Sequence, residues 1–366
     1  MLLFTPGPTP TKEAIRNEMA KPSIHHRTPE FSLIFNETRD LLKELFDMPE
    51  VLILSCSGTG ALEASVTTFA KKKALIINSG KFGERFSKIA KSFNIEYDEL
   101  KYDWNTPVDI DDVKSMIVKN DYDSVFVQVC ESSGGVRHPV EKLASTIKNI
   151  NSDIYVVADA ITAIGVEKID VTNIDVLISG SQKALALPPG VALLGLSNYA
   201  LKNLDTLATG FYFNLATELK KQKQNTTAWT PAISIIIGLR AVLKEFKEIG
   251  FENIYEKTKK ISYATKSAIK TIGFELYPKK SAVCMTSVKS PRASDIISQL
   301  KVKYEVALAG GQDHLKGEIF RINHMGDVNI HEAVWVVNAI ELTLDDMNIR
   351  PFNGEANKVF NEIYFA

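Results

Sequence analysis

At 366 residues the chain is too long for one compact core and suits two domains. Hydrophobic residues make up 45% and charged residues 24%, and 43 basic against 44 acidic side chains leave a formal charge of −1. That balance provides neither a basic stripe for nucleic acid nor a polybasic arm for a membrane surface. Three cysteines (Cys56, Cys130 and Cys284), odd in number and unrelated in spacing, argue against a disulfide framework or a metal cluster and fit a reducing cytoplasm. Pro6 arrives before any apolar run of signal-peptide length, and no run approaches the roughly 20 residues of a membrane span. The expectation is a soluble cytoplasmic protein without a metal.

In chain order, short apolar runs alternate with amphipathic stretches. The runs Val51–Ser55, Ala74–Asn78, Ile95–Leu100, Ser124–Val129, Ile154–Ala158, Asp175–Ser179 and Val191–Leu196 read as strands covered on both faces. Between them, Glu84–Ser92 and Lys142–Ile150 carry apolar residues at helical spacing. Such alternation predicts a mainly parallel α/β sheet. Only Gly180 to Gly190 separates the last two strands, ending in Pro188-Pro189-Gly190, which is too short and too poor in helix formers for a parallel crossover. The last strand is therefore expected to run antiparallel, closing a seven-stranded mixed sheet.

Residues 201–231 read as polar and turn-rich. After Thr230-Pro231 a helical pattern runs to about Gly250, and a second spans about Ile254–Ile272. Strand-like pieces come next at Ser281–Thr286, Glu305–Ala309 and Ile319–Asn323, between helices at Ala293–Lys301 and Ile330–Asp346. The expected division is a large domain, 1–250, and a smaller C-terminal α/β domain, 251–366.

Three stretches carry chemistry. In Asp175–Gly190, DVLISGSQKALALPPG, a buried strand ends in small polar residues and then Lys183. Desolvation there lowers an amine's pKa, which suits a Schiff-base lysine. In IYVVADAITA, Asp159 ends a strand at the carboxyl edge of the sheet, where a carboxylate can pair with a pyridinium nitrogen or simply cap the next turn. In LILSCSGTGALE, the backbone N–H groups of Ser57, Gly58 and Thr59 stand where a strand-to-helix turn can hold a phosphate. It is neither a Walker loop nor a dinucleotide fingerprint. Each stretch alone is ordinary; their order is not.

A phosphate loop, then a strand-end aspartate, then a lysine one strand later is the pyridoxal 5′-phosphate (PLP) arrangement. The chain resembles the class V aminotransferases of PLP fold type I, and within them the alanine–glyoxylate and serine–pyruvate aminotransferases. The likeness runs from TPGPTP (Thr5–Pro10) through SGTGALEA, ESSGGV and SGSQKALALPPG to FRINHMG (Phe320–Gly326). It implies that Lys183 carries PLP, that Asp159 pairs with its ring nitrogen, and that Ser57, Gly58 and Thr59 hold its phosphate. Phe82 is implied as the stacked ring, Ser132 and Gln182 as pocket and phosphate neighbours, and Arg321 as the clamp for the substrate carboxylate. Gly7 is implied at the substrate side. A homodimer is also implied, with Thr230 (or Thr227) reaching the neighbouring subunit's phosphate.

Three departures stand out. Thr59 occupies a position where several relatives have histidine, Phe82 one where some have tryptophan, and Cys130 one where glycine is common. The implied activity is ping-pong transfer of an amino group from a small L-amino acid (alanine, serine or aspartate) to glyoxylate or pyruvate. Aminophosphonate or phosphoserine transamination, a lyase or desulfurase reaction, and a catalytically degenerate partner subunit are the alternatives. The three cysteines read as inert packing, and His25 and His26, in HHRTPEF, as exposed loop residues.

Overall fold

The computed structural model describes residues 1–366. Its larger sheet has seven strands in the order Glu50–Leu54, Ala192–Leu196, Val176–Gly180, Tyr155–Asp159, Ser124–Gln128, Lys73–Asn78 and Glu96–Lys101. Ala192–Leu196 runs antiparallel to both of its neighbours, and every other pairing is parallel. The tight return after Gly180 has the cause expected of its length. Ser181 Oγ donates to the Pro188 carbonyl at 2.7 Å, folding the Pro-Pro-Gly segment back on itself.

The strands interior to the sheet are buried on both faces because helices lie on each side. Val51 and Ile53 enter one apolar layer and Leu52 and Leu54 the other, and Leu75 and Ile77 alternate likewise with Ala74 and Ile76. The edge strand Glu96–Lys101 is half-exposed and charged, which suits an unpaired edge.

The smaller sheet has the order Leu2–Phe4, Val306–Gly310, Ile319–Asn323, Met285–Lys289 and Glu275–Leu276. Helices Phe251–Thr271 and Ile330–Asp346 pack on it through Ile261, Ala268, Val336 and Ile340. The first strand comes from the opposite end of the chain: Leu2–Phe4 pairs in parallel with Val306–Leu308. From this layout we propose a division near Gly250, with residues 251–366 as the smaller body and the first few residues threaded onto it.

Several elements depart from the sequence expectation. Residues 201–231 contain helices Asn198–Leu207 and Leu215–Gln222, capped by the side chains of Ser197 and Asn214. Each buries only a narrow apolar stripe, so the polar composition conceals them. Helix Pro29–Phe46 begins with Thr28 accepting from the Phe31 N–H at 3.3 Å and proline in its first turn. The strand expected at Ser281–Thr286 starts four residues late, at Met285. The preceding segment is tied instead to the turn of the larger body, where the Ala282 N–H donates to Gly135 and the Arg137 N–H to Lys280. His26 is buried against His25, which alone of the pair is exposed. No helix is long and apolar enough to cross a membrane.

Candidate active site

Lys183 comes directly after the strand Val176–Gly180, so its backbone is fixed while its side chain leaves the sheet edge. The N-terminal segment holds it. Lys183 Nζ donates to the Pro6 carbonyl at 2.5 Å, Thr9 Oγ1 donates to the Lys183 carbonyl at 2.6 Å, and the Thr9 N–H donates to the Gln182 carbonyl at 3.1 Å. Gly7 has a φ of +122°, and a β-carbon there would stand 2.7 Å from Lys183 Cδ. Only glycine suits both the conformation and the contact. Burial lowers the Lys183 pKa, while Cys284 and Asp159 oppose that and the Arg321 charge adds to it. The neutral amine is thereby more available than in a surface lysine.

Asp159 ends its strand 6% exposed, with Oδ1 accepting from the Ile161 N–H at 2.9 Å and no ion pair. Burial raises its pKa to about 6; the Ile161 N–H opposes the shift and the Glu131 charge adds to it. A cationic N–H placed here would restore the carboxylate.

Ser57 precedes helix Gly58–Phe69 in extended conformation and makes no side-chain cap bond, leaving its hydroxyl and the N–H groups of Gly58 and Thr59 free, while the Gly60 N–H donates to the Ser57 carbonyl at 2.8 Å. A β-carbon on Gly58 would lie 2.6 Å from Ile161 Cδ1, so the loop passes close against the turn after Asp159. Phe82 lies in the first turn of helix Lys81–Ser92. Its N–H and that of Gly83 both donate to Glu131 Oε2 at 3.0 Å, while the Ser133 N–H and Oγ donate to Oε1 at 3.0 and 2.6 Å. Glu131 thus anchors the start of the Phe82 helix. Arg85 stands on the same helix, with its guanidinium carbon 4.7 Å from the Phe82 ring centre and Nη1 donating to Thr59 Oγ1 at 3.1 Å.

Arg321 comes from the smaller sheet, 7% exposed and without an ion pair. Its Nη1 donates to the Ser132 carbonyl at 2.7 Å, and its Nε and Nη2 to the Gly310 carbonyl at 3.1 and 2.7 Å. Burial lowers its pKa and Glu131 opposes the shift. A buried guanidinium with only carbonyl partners is set to receive a carboxylate. Arg321→Lys loses the planar fork, and we expect KM for the amino acid to rise about 10- to 100-fold with a smaller change in kcat, measured by steady-state kinetics.

The structure therefore brings Ser57, Gly58, Thr59, Phe82, Asp159, Lys183, Gly7, Ser132 and Arg321 to the carboxyl edge of the large sheet. Gln182 joins them with a buried Oε1 that has no partner. Thr230 lies apart on the surface, beside a loop with exposed Phe211 and Tyr212, whereas Thr227 is buried and donates its hydroxyl to the Trp229 carbonyl at 2.6 Å. Sequence reasoning misses Glu131 and Arg85. The only signal is a charged residue opening ESSGGV and a basic residue three places beyond Phe82. Cys130 and Cys284 are buried with their sulfurs 3.3 Å apart. Cys56 is pushed up to about 12 by burial, and Cys130 is raised well above its ordinary value by the Cys284 thiol and by burial, as suits packing thiols.

The residues fit PLP. A desolvated carboxylate lacks a cation, a helix N-terminus has unused donors, and a buried amine stands within electrostatic reach of the carboxylate. The sheet order, with one antiparallel strand and a smaller appended body, is that of PLP-dependent transferases of fold type I.

Comparison with known proteins agrees. Residues 9–327 match the family described as "Aminotransferase class-V", so the chain belongs to the class V aminotransferases, which are PLP-dependent enzymes. It is 45% identical, across 100% of both chains, to an "Uncharacterized aminotransferase" of Helicobacter pylori. It is 32% identical to the "Soluble hydrogenase, small subunit" of a Synechococcus strain, covering 96% of this chain and 94% of that one. The solved aspartate aminotransferase of Thermus thermophilus, assigned to subgroup IV, superposes with a TM-score of 0.87 at 30% identity, covering 99% of this chain and 100% of that one.

Proposed function

We propose that this enzyme transfers the amino group of a small L-amino acid (alanine, serine or aspartate) to glyoxylate or pyruvate by a ping-pong mechanism. We propose further that it works in the cytoplasm as a homodimer with shared active sites. The observation that carries this reading is the buried, unpaired guanidinium of Arg321 within electrostatic reach of Lys183. It gives a carboxylate anchor beside one desolvated amine, as an α-amino acid requires.

Bound PLP supplies a reactive aldehyde and an electron-withdrawing ring. Lys183 would hold it through Nζ, and the unprotonated Nζ is the group that would take the proton from the substrate α-carbon. Asp159 would pair with the ring nitrogen and keep it protonated. Arg321 fixes the carboxylate, so that the α-carbon is presented to Lys183 in one orientation. Gly7 leaves the room in which the Lys183 side chain moves. The exposed hydroxyl of Thr230, unlike that of Thr227, is free to reach a neighbouring subunit's phosphate.

A phosphorylated or phosphonate substrate would bring a dianion, a larger charge to neutralise than the second carboxylate of aspartate, and Arg321 has only carbonyl partners. The name of the Synechococcus relative suggests a partner-subunit role. Retention of Lys183 and Asp159 in one desolvated site favours catalysis over it. The test is an absorbance titration of the PLP-loaded protein with alanine, serine and aspartate. One of the three should convert the visible lysine-bound band to a band of the aminated cofactor, with glyoxylate or pyruvate reversing it. A band unmoved by all three donors would sink the substrate assignment.

A further inference from the structure

We propose that Arg85 is the cation that holds the cofactor's phosphate in this chain, acting from the helix beside the phosphate loop. The inference rests on the PLP reading above and deepens it. A phosphate monoester carries about −1.5 to −2 charges at neutral pH, while a helix N-terminus offers the equivalent of about +0.5. The loop itself adds no charge, because Ser57, Gly58 and Thr59 are all neutral. The next ionisable side chain along the chain is Glu63, which has the wrong sign. A further cation would complete the neutralisation, and since the loop supplies none, it comes from another element.

Arg85 meets the requirement by position and by what it lacks. Its Nη1 donates to Thr59 Oγ1, which ties the guanidinium to the loop at 3.1 Å. Its guanidinium carbon lies 4.7 Å from the Phe82 ring centre, a cation–π contact that holds it on a second side. It makes no ion pair. The two lysines on either side of it on the same helix do: Lys81 pairs with Asp313 and Glu84, and Lys88 with Glu84. Of the five N–H donors in a guanidinium, one is used here, so most of the fork is free for an anion. Its charge also reaches Asp159, whose pKa it lowers, so it stands close enough to the base of the site to be felt there. A half-buried cation held on two sides and neutralised by nothing suits a bound dianion.

The arrangement also accounts for Thr59. A threonine hydroxyl can accept from Arg85 and still present its own proton outward, so the loop residue becomes the link between phosphate and guanidinium. Arg85 is thus a phosphate-binding residue, distinct from the groups that act on the substrate.

The test measures binding without turnover. Apo-protein of the wild type, Arg85→Gln and Arg85→Lys is titrated with PLP and, separately, with pyridoxal, which lacks the phosphate, monitoring protein fluorescence and the lysine-bound absorbance band. Loss of a charged hydrogen-bond pair predicts that Arg85→Gln binds PLP about 10- to 100-fold more weakly, with pyridoxal affinity within about twofold of wild type and Arg85→Lys intermediate for PLP alone. Inorganic phosphate should compete with PLP more weakly in Arg85→Gln than in wild type. Equal weakening for PLP and pyridoxal, or no weakening for either, would overturn the proposal. Either result leaves the aminotransferase reading intact so long as the wild-type band forms and disappears in Lys183→Ala. A wild type that forms no such band overturns both.

Discussion

Lys183→Ala leaves the protein folded and able to retain PLP non-covalently but lowers kcat on the order of 10⁴-fold or more, because the acid–base group at the α-carbon is gone. The side chain makes one hydrogen bond, to the Pro6 carbonyl, and burial opposes its charged form, so its removal gives up one bond and lifts a desolvation penalty. The measurement is single-turnover conversion of PLP-loaded protein by the preferred donor, with the loss of the lysine-bound band as an independent sign. Added methylamine should restore part of the rate if the missing group acts as a base. Retention of more than about one-hundredth of wild-type turnover would move the catalytic base elsewhere.

Asp159→Asn has two effects of opposite direction. Activity falls on the order of 10²- to 10³-fold, as expected when a preorganised charge facing the reacting ring is removed. The apo-protein, by contrast, becomes more stable at neutral pH. In the unfolded chain the carboxyl titrates near 3.9, and in the fold burial lifts it to about 6. The folded state therefore binds the extra proton between those values. Stability is greatest below the unfolded pKa, declines as pH rises through about 4 to 6, and stays reduced above that. The penalty at pH 7.5 is on the order of 2–3 kcal/mol, and asparagine escapes it while its Oδ1 can still accept from Ile161. Urea unfolding of apo wild type and variant at pH 7.5 and pH 5 checks this, because the gain should shrink by about half at the lower pH. A variant less stable than wild type at pH 7.5 would show that the buried carboxylate is satisfied by partners other than a cofactor.

The two variants together separate chemistry from folding. Burial opposes the charged form of both Lys183 and Asp159 in the apo-fold. Sites that carry such a desolvated charge are those in which a ligand supplies the missing partner.

Local pattern makes much of this legible in the sequence. All seven strands of the large sheet lie within about one residue of the runs read from the sequence, because most of those runs are apolar on both faces, a signature that needs no partner information. The antiparallel direction of Ala192–Leu196 is set by the shortness of Gly180–Gly190, a covalent limit on how the chain can return. The helices capped by Ser197 and Asn214 escape notice because short elements with one narrow buried stripe resemble polar loops. The strand at Met285 is misplaced by local reading because what delays it is a long-range bond from Ala282 to Gly135, which no local window contains.

The sequence by itself determined the sheet, the strand-to-helix turn at Ser57–Thr59, and the positions of Lys183 and Asp159, since each depends on where a strand ends and on the few residues just beyond that end. Only the tertiary structure decided the remainder of the site. It brought Pro6 and Gly7 from the N-terminus against Lys183, set Arg321 from the second sheet against the Ser132 carbonyl, and aimed Arg85 at Thr59 across two helices. These contacts join residues far apart in the chain. Burial, and with it the lowered pKa of Lys183 and the raised pKa of Asp159, exists only once the segments that exclude water from them have packed.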